Sequence, residues 1–201
     1  MTIFDLKHIE TPRLVIRPVQ RGDEIELNAA IQRSLLSLQR WMHWAKDPSL
    51  ETTLNYVEES VRGWSAGHLL EFPMIVIHKA DRKIISASGF NEKSDLSKRL
   101  FEIGYWIDTP YEGQGYVSEL VNALTRYALE ALQATRVQIC TQVGNEKSMA
   151  VAKRCGYVCG TTLKSDRLDC ESGLPVDSFL YVCGDLNALP ALTVTWKHRK
   201  N

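Results

Sequence analysis

The stretch from Leu100 to Leu120, LFEIGYWIDTPYEGQGYVSEL, constrains this chain more than any other. From residue 100 to 107 it alternates with the period of two that suits a strand, with Phe101, Ile103, Tyr105 and Ile107 on one face and Glu102, Gly104 and Trp106 on the other. Asp108-Thr109-Pro110 ends that strand. After Gly113-Gln114-Gly115 the apolar residues Val117, Leu120, Val121, Leu124, Ala128 and Leu132 recur at helical spacing. A strand that passes through two glycines into a helix leaves several N–H groups unpaired, with the positive end of the helix dipole behind them. Such a turn suits phosphate oxygens. Glycine there permits positive φ and lets a bulky anion reach the main chain. The same order of elements also occurs in tight turns that bind nothing. Ser118 stands where G-x-G-x-x-G needs its third glycine, and no G-x-x-x-x-G-K-[ST] is present, so neither a dinucleotide-binding fold nor a P-loop is supported.

The rest of the chain reads as a single domain over residues 1–184 with a tail over 185–201. Leu14 and Ile16 mark a first strand, and Asp23 is a fair N-cap for a helix carrying Leu27, Ala30, Ile31 and Leu35. Asp47-Pro48-Ser49 opens a second helix whose expected inner face is Leu50, Leu54, Val57, Val61 and Trp64. Residues 73–78 and 83–90 read as strands and Arg136 to Cys140 as another. Asn145 and Gly156 bracket a short helix, and 157–163 and 178–184 form a hairpin with a long polar arm holding Asp166, Asp169, Glu171 and Asp177. The strand, helix and strand that follow one another from Leu100 to Cys140 favour a parallel, right-handed crossover within an otherwise antiparallel meander. The expected architecture is α/β: a mixed, mostly antiparallel twisted sheet of about seven strands flanked by about four helices. The end, Lys197-His198-Arg199-Lys200, is expected to be a mobile basic terminus.

Composition narrows the partners. The chain has 24 basic and 24 acidic residues, which gives no general electrostatic reason to bind nucleic acid or an anionic membrane. No run approaches the length of a membrane span and the first residues lack a signal-peptide core, so a cytoplasmic protein is expected. Five cysteines without C-x-x-C indicate neither a disulfide framework nor a zinc site, and no metal is expected. Trp41, Met42, His43 and Trp44 crowd one connection. The two indoles either cap the core or wall a substrate cleft.

EIGYWIDTPYEGQGYVSELVNALTRYALE, followed by RVQICTQVGNEKSMAVAKRCGY, resembles the acetyl-CoA-binding half of the GNAT N-acetyltransferases, and among them the ribosomal-protein N-terminal (Rim-type) branch. ETPRLVIRPVQRGD resembles that branch's first strand. The resemblance implies the GNAT fold, acetyl-CoA as cosubstrate and transfer of an acetyl group to a primary amine. The family's [QR]-x-x-G-x-[GA] motif falls on Glu112 to Val117, departing at Glu112 and at Val117. It implies that Gly113, Gln114, Gly115, Tyr116, Val117 and Ser118 hold the diphosphate, and that backbone amides near Trp106, Ile107 and Asp108 polarise the thioester carbonyl. N-x-x-S falls on Asn145 and Ser148, implying that Asn145 meets the pantetheine arm and that Ser148 protonates the departing thiolate. Glu102 resembles in its place the catalytic Glu of the histone-acetylating GNAT enzymes, which implies a base there, against the alternative of a carboxylate paired across the sheet. Trp41 and Trp44 would border the acceptor.

Three functions stay open on the sequence: an acetyltransferase for a protein N-terminus such as that of a ribosomal protein, one for a small amine or antibiotic, and a non-enzymatic acyl-CoA-binding or interaction module. A homodimer also stays open.

Overall fold

The computed structural model describes residues 2–67 and 70–199. Its strands are β1 (Leu6–Glu10), β2 (Leu14–Pro18), β3 (Phe72–His78), β4 (Lys83–Phe90), β5 (Leu100–Tyr105), β6 (Arg136–Gln142), β7 (Val158–Leu168), β8 (Pro175–Cys183) and β9 (Thr195–His198). They join in the order β7-β8-β6-β5-β4-β3-β2-β1-β9, and the contact between β5 and β6 is the parallel one. The α-helices are α1 (Glu24–Arg33), α2 (Leu35–Trp41), α3 (Leu50–Ala66), α4 (Tyr116–Arg126) and α5 (Glu146–Arg154).

The mixed, mostly antiparallel α/β sheet is the expected one, but it has nine strands among the described residues rather than seven. The two additions pair with each other, Ile9 opposite Trp196. LKHIE buries only Leu6 and Ile9 and shows little alternation to read. At the other end, Trp196 packs edge-on against Tyr127 at 5.7 Å, which seats a short basic strand where a mobile terminus was expected. Lys200 lies outside the described residues.

Three local expectations also change. The helix expected to run through Leu35 breaks at Ser34, whose hydroxyl donates to Asp108 Oδ1 at 2.9 Å and accepts from the Thr109 N–H at 2.9 Å. Asp23 stands at the N-cap position of α1 as expected, but its side chain does not cap the helix: the carboxylate takes two hydrogen bonds from Arg17 and one from the Gln20 N–H. Leu50 and Leu54 are each 40% exposed, and the buried stripe of α3 is instead Thr53, Val57, Ser60 and Trp64. The polar arm of the last hairpin is shorter than expected, since Leu168 still pairs with Pro175.

Alternation in the central strands builds two cores. Met74 and Val76 join Leu120, Val121 and Leu124 of α4 on one face of the sheet. On the other, Ile75 joins Leu27 and Ile31 of α1 and Val57 of α3. The consequence for function lies in β5. It pairs with β6 through Leu100, Phe101 and Glu102, and with β4 through Ile103, Gly104 and Tyr105. Beyond Glu102 no pairing with β6 continues, so the sheet opens beside Tyr105.

Candidate active site

The turn between β5 and α4 is built to receive an anion. Gly113 has φ +73° and Gly115 φ +81°, conformations that a side chain at Cβ disfavours. Among the described residues the N–H groups from Gly113 through Ser118 make no hydrogen bond. They gather at the start of α4, where the helix dipole adds positive potential. Arg13 braces this turn from across the sheet. Its Nη1 donates to the Gln114 carbonyl at 3.0 Å, while its Nε donates to the buried Glu119 carboxylate at 2.6 Å. Its guanidinium also lies 4.3 Å from the Tyr116 ring centre. Nothing in the sequence links Arg13 to residues so far along the chain.

A cavity of about 1000 Å³ runs from this turn into the opening between β5 and β6. Gly113, Gly115, Tyr116, Val117 and Ser118 line one side, and Asn145 and Ser148 the other. Trp106, Ile107 and Trp41 close its inner end. Gln114, expected with them, does not line the cavity; its N–H has no partner among the described residues and its side chain turns away to Pro110. Asn145 Oδ1 caps α5 by accepting from the Ser148 N–H at 3.2 Å, and its Nδ2 makes no hydrogen bond among the described residues. Glu112, where the resemblance expects a polar or basic residue, meets Lys147 at 2.5 Å. Ser148 Oγ lies 2.9 Å from the hydroxyl of Tyr105. Burial raises the Tyr105 pKa, so that hydroxyl stays protonated. Tyr105 was legible as a strand residue and not as part of the site.

A second cavity, of about 520 Å³, opens on the other side of β5, between the ends of β3, β4 and β5 and helices α1 and α3. Trp44 walls it, with Trp106 6.2 Å from the Trp44 ring. Met42, Tyr105 and Trp106 line both cavities. The two indoles expected near the acceptor therefore separate: Trp41 faces the larger cavity and Trp44 the smaller. His43 bonds through Nε2 to the Leu168 carbonyl at 2.8 Å, and Arg40 donates to Asp169 at 2.8 Å, joining the end of α2 to the β7–β8 hairpin.

At the inner end the N–H groups of Trp106 and Ile107 make no hydrogen bond among the described residues. Asp108 differs from the expectation. Its N–H donates to the Ile85 carbonyl at 2.7 Å, and its buried carboxylate is held by Arg33 and Ser34. It offers no group to a carbonyl. Glu102 is also set apart, because it lines neither cavity. Its carboxylate is buried and accepts from Asn91 Nδ2 at 2.9 Å and from Gln138 Nε2 at 2.6 Å. Asn91 itself lines the smaller cavity. Cys140 and Cys155 are pushed up to about 11 by burial and are no nucleophiles at neutral pH.

The family model described as the acetyltransferase (GNAT) domain matches residues 13–158. The chain belongs to the GNAT acetyltransferases. YdaF of Bacillus subtilis (strain 168), described as a ribosomal N-acetyltransferase, is 32% identical over 158 residues, which cover 72% of this chain and 78% of that protein. The ribosomal-protein-serine acetyltransferase of Escherichia coli (strain K12) is 32% identical over 128 residues, 63% of this chain and 69% of that one. The ribosomal L7/L12 alpha-N-protein acetyltransferase RimL, solved with coenzyme A, has a TM-score of 0.80 at 21% identity, over 90% of this chain and 99% of its own. This GNAT protein is an acetyl-CoA-dependent N-acetyltransferase, and acetyl-CoA is its cosubstrate. The alternative of a non-enzymatic module gives way to an enzyme. No helix among the described residues is long and apolar enough to cross a membrane.

Proposed function

We propose that this GNAT enzyme acetylates the N-terminal α-amine of a protein in the cytoplasm, with ribosomal proteins the first candidates. The observation that carries the reading is the meeting of two cavities at Tyr105 and Trp106, one with the amide-rich turn at its mouth and one free for an acceptor. The names of the Escherichia coli relative and of RimL support the choice of acceptor.

Acetyl-CoA supplies the thioester that a neutral amine attacks. The amides of Gly113 through Ser118 hold its diphosphate, and Asn145 Nδ2 is free to meet the pantetheine arm. The N–H groups of Trp106 and Ile107, without a partner among the described residues, are the donors that would stabilise negative charge on the carbonyl oxygen. In this reading the Tyr105 hydroxyl, 2.9 Å from Ser148 Oγ, is the donor of that pair. The Ser148 proton is then left to point at the sulfur, where it neutralises the thiolate as the carbon–sulfur bond breaks, and the proton that the attacking nitrogen loses returns to the serine through solvent in the cavity. A protein α-amine has an ordinary pKa of about 7.7–8.0 and Lys about 10.4, so the neutral α-amine costs about 3–4 kcal/mol less to reach. A site with no carboxylate of its own among the reacting groups suits the easier acceptor.

The test is mass spectrometry after incubation with acetyl-CoA, using peptides with free N-termini, N-blocked peptides containing Lys, and polyamines. Acetylation of the α-amine is expected. Product confined to Lys Nε or to polyamines overturns the reading.

A further inference from the structure

The smaller cavity has a charge pattern that the chain as a whole lacks. The protein is formally neutral. This cavity has carboxylates on its wall and, among the described residues, no Lys, Arg or His. Asp47 is already engaged, since its carboxylate accepts from Thr52 Oγ1 at 2.6 Å and from the Ser49 N–H at 3.1 Å at the start of α3. Glu71, just before β3, and Glu92, just after β4, make no hydrogen bond or ion pair among the described residues. Opposite them stand aromatic walls from Trp44, Tyr56 and Trp106.

Glu71 and Glu92 face one cavity and repel each other, and Glu71 also loses hydration to the protein around it. Both effects raise the Glu71 pKa: loss of hydration is the larger, and the Glu92 charge adds to it. Glu71 remains reachable by solvent, so this cost persists until a positive group enters. A cation there relieves both causes, and the aromatic rings add attraction through their faces. The cavity, defined by its walls and by its junction with the cofactor cavity at Tyr105 and Trp106, fixes where the acceptor sits. The carboxylates fix what the acceptor must carry beside its reacting amine.

We propose that Glu71 and Glu92 select acceptors bearing a second positive charge: N-terminal segments with Lys or Arg at the second or third residue. The proposal rests on the α-amine reading above. It adds a preference within that class.

The experiment compares kcat/KM for matched peptides that differ only in Lys or Gln at residue two or three, in the parent enzyme and in Glu71→Gln/Glu92→Gln. The parent should prefer the Lys peptide by roughly tenfold, the size expected of one charge contact in a partly screened cavity. That ratio should fall towards one in the double variant and shrink in the parent at high salt. A thermal shift with acetyl-CoA that is kept in the double variant shows that it is folded. A ratio near one in the parent, or a tenfold ratio that survives the double substitution, overturns the proposal. The same ratio measured for a diamine against a monoamine of equal length separates the two claims. If no peptide α-amine is acetylated but the diamine preference is present and lost in the variant, the α-amine reading fails and the charge site stands. If the preference is absent in both series, the charge site fails whatever the acceptor.

Discussion

The hydroxyl of Tyr105 lies 2.9 Å from Ser148 Oγ, tying the last residue of β5 to the first turn of α5 across the opening of the sheet. Burial keeps Tyr105 protonated, so its hydroxyl can donate to Ser148 Oγ or to the Ser148 carbonyl at 3.3 Å; when it donates to Oγ, the serine proton is free for another acceptor. Ser148→Ala should lower kcat by roughly 10²-fold, the lower end of what a positioned proton donor contributes. Alkaline pH should soften that defect as the coenzyme thiol passes its own pKa, about 8.5 for an ordinary thiol. Tyr105→Phe should cost less, on the order of tenfold, because the serine remains but its rotor is no longer fixed. Stopped-flow detection of free thiol from pH 7 to 9.5 reads both. A parental rate in the Ser148→Ala enzyme across that range removes Ser148 from the chemistry.

Glu112 and Lys147 face each other at 2.5 Å across the mouth of the cofactor cavity, Glu112 just before the amide-rich turn and Lys147 at the start of α5. A carboxylate beside a diphosphate is unfavourable unless a cation offsets it, and Lys147 is that cation. Lys147→Ala should raise the KM for acetyl-CoA about two- to fivefold with kcat little changed, the scale of an exposed ion pair. Glu112→Gln should lower that KM by a similar factor. Both differences should fade above about 0.5 M salt, where the screening length becomes shorter than the contact's surroundings. Equal KM values in low salt for all three proteins sink the idea.

Local signals were legible and long-range ones were not. The β5 alternation continues past the last paired residue, with Tyr105 and Ile107 packing on the α4 side and Trp106 on the α1 side, as the sequence pattern implied. The positive φ at Gly113 and Gly115 and the unpaired amides after them were readable, because both follow from a strand, two glycines and a helix in immediate succession. Asn145 and Ser148 were placed by the resemblance, and they line the same cavity as that turn. Arg13, Asn91, Glu71 and Glu92 carried no local signal: the Arg13 side chain reaches the turn across 101 residues of chain, and Glu71, Asn91 and Glu92 meet only because β3 and β4 pair Phe72 with Phe90. Asp108 was misread for a related reason. Its N–H, expected near a thioester carbonyl, pairs with the Ile85 carbonyl of β4, and Arg33 and Ser34, from the break between α1 and α2, enclose its carboxylate.

The link between α2 and the β7–β8 hairpin gives a pH prediction. The backbone N–H of Ser172 first, and then Arg40 and Gln142, hold the Asp169 carboxyl well below the usual carboxylate range. A group whose folded pKa is depressed contributes stability above its unfolded pKa, about 3.9 for Asp, and that contribution is lost as pH falls from there through the folded value. Asp169→Asn should therefore melt at a lower temperature than the parent at pH 7. The gap should stay constant down to about pH 4.5 and narrow below it. Thermal melts at pH 7, 5, 4 and 3 decide the matter; a gap that widens on acidification means that Asp169 is not the group being titrated. The same substitution loosens the anchor of the segment bearing Trp41 and Trp44, which line the larger and the smaller cavity, so KM should rise for both acetyl-CoA and the amine.

Glu102 is the residue for which the resemblance and the geometry lead to different outcomes. As a base it must reach the acceptor amine, directly or through one water, and Glu102→Gln should then cost roughly 10² to 10⁴ in turnover. Part of that loss should return between about pH 7 and 9 for an α-amine, as the acceptor arrives already neutral. The carboxylate, however, sits behind Asn91 and between two amide donors, and it lines neither cavity. Its evident task there is to orient the Asn91 side chain on the acceptor wall. As a positioning residue it should lose less than about tenfold on conversion to Gln, which keeps the size and one acceptor oxygen, with the loss mainly in KM for the amine and no change in the shape of the pH profile. Asn91→Ala should then reproduce the defect, and adding Glu102→Gln to it should cost little more, since both act through one contact. A loss of about 10² or more that alkaline pH repairs, independent of Asn91, restores Glu102 as the base and requires a water path from its carboxylate to the amine.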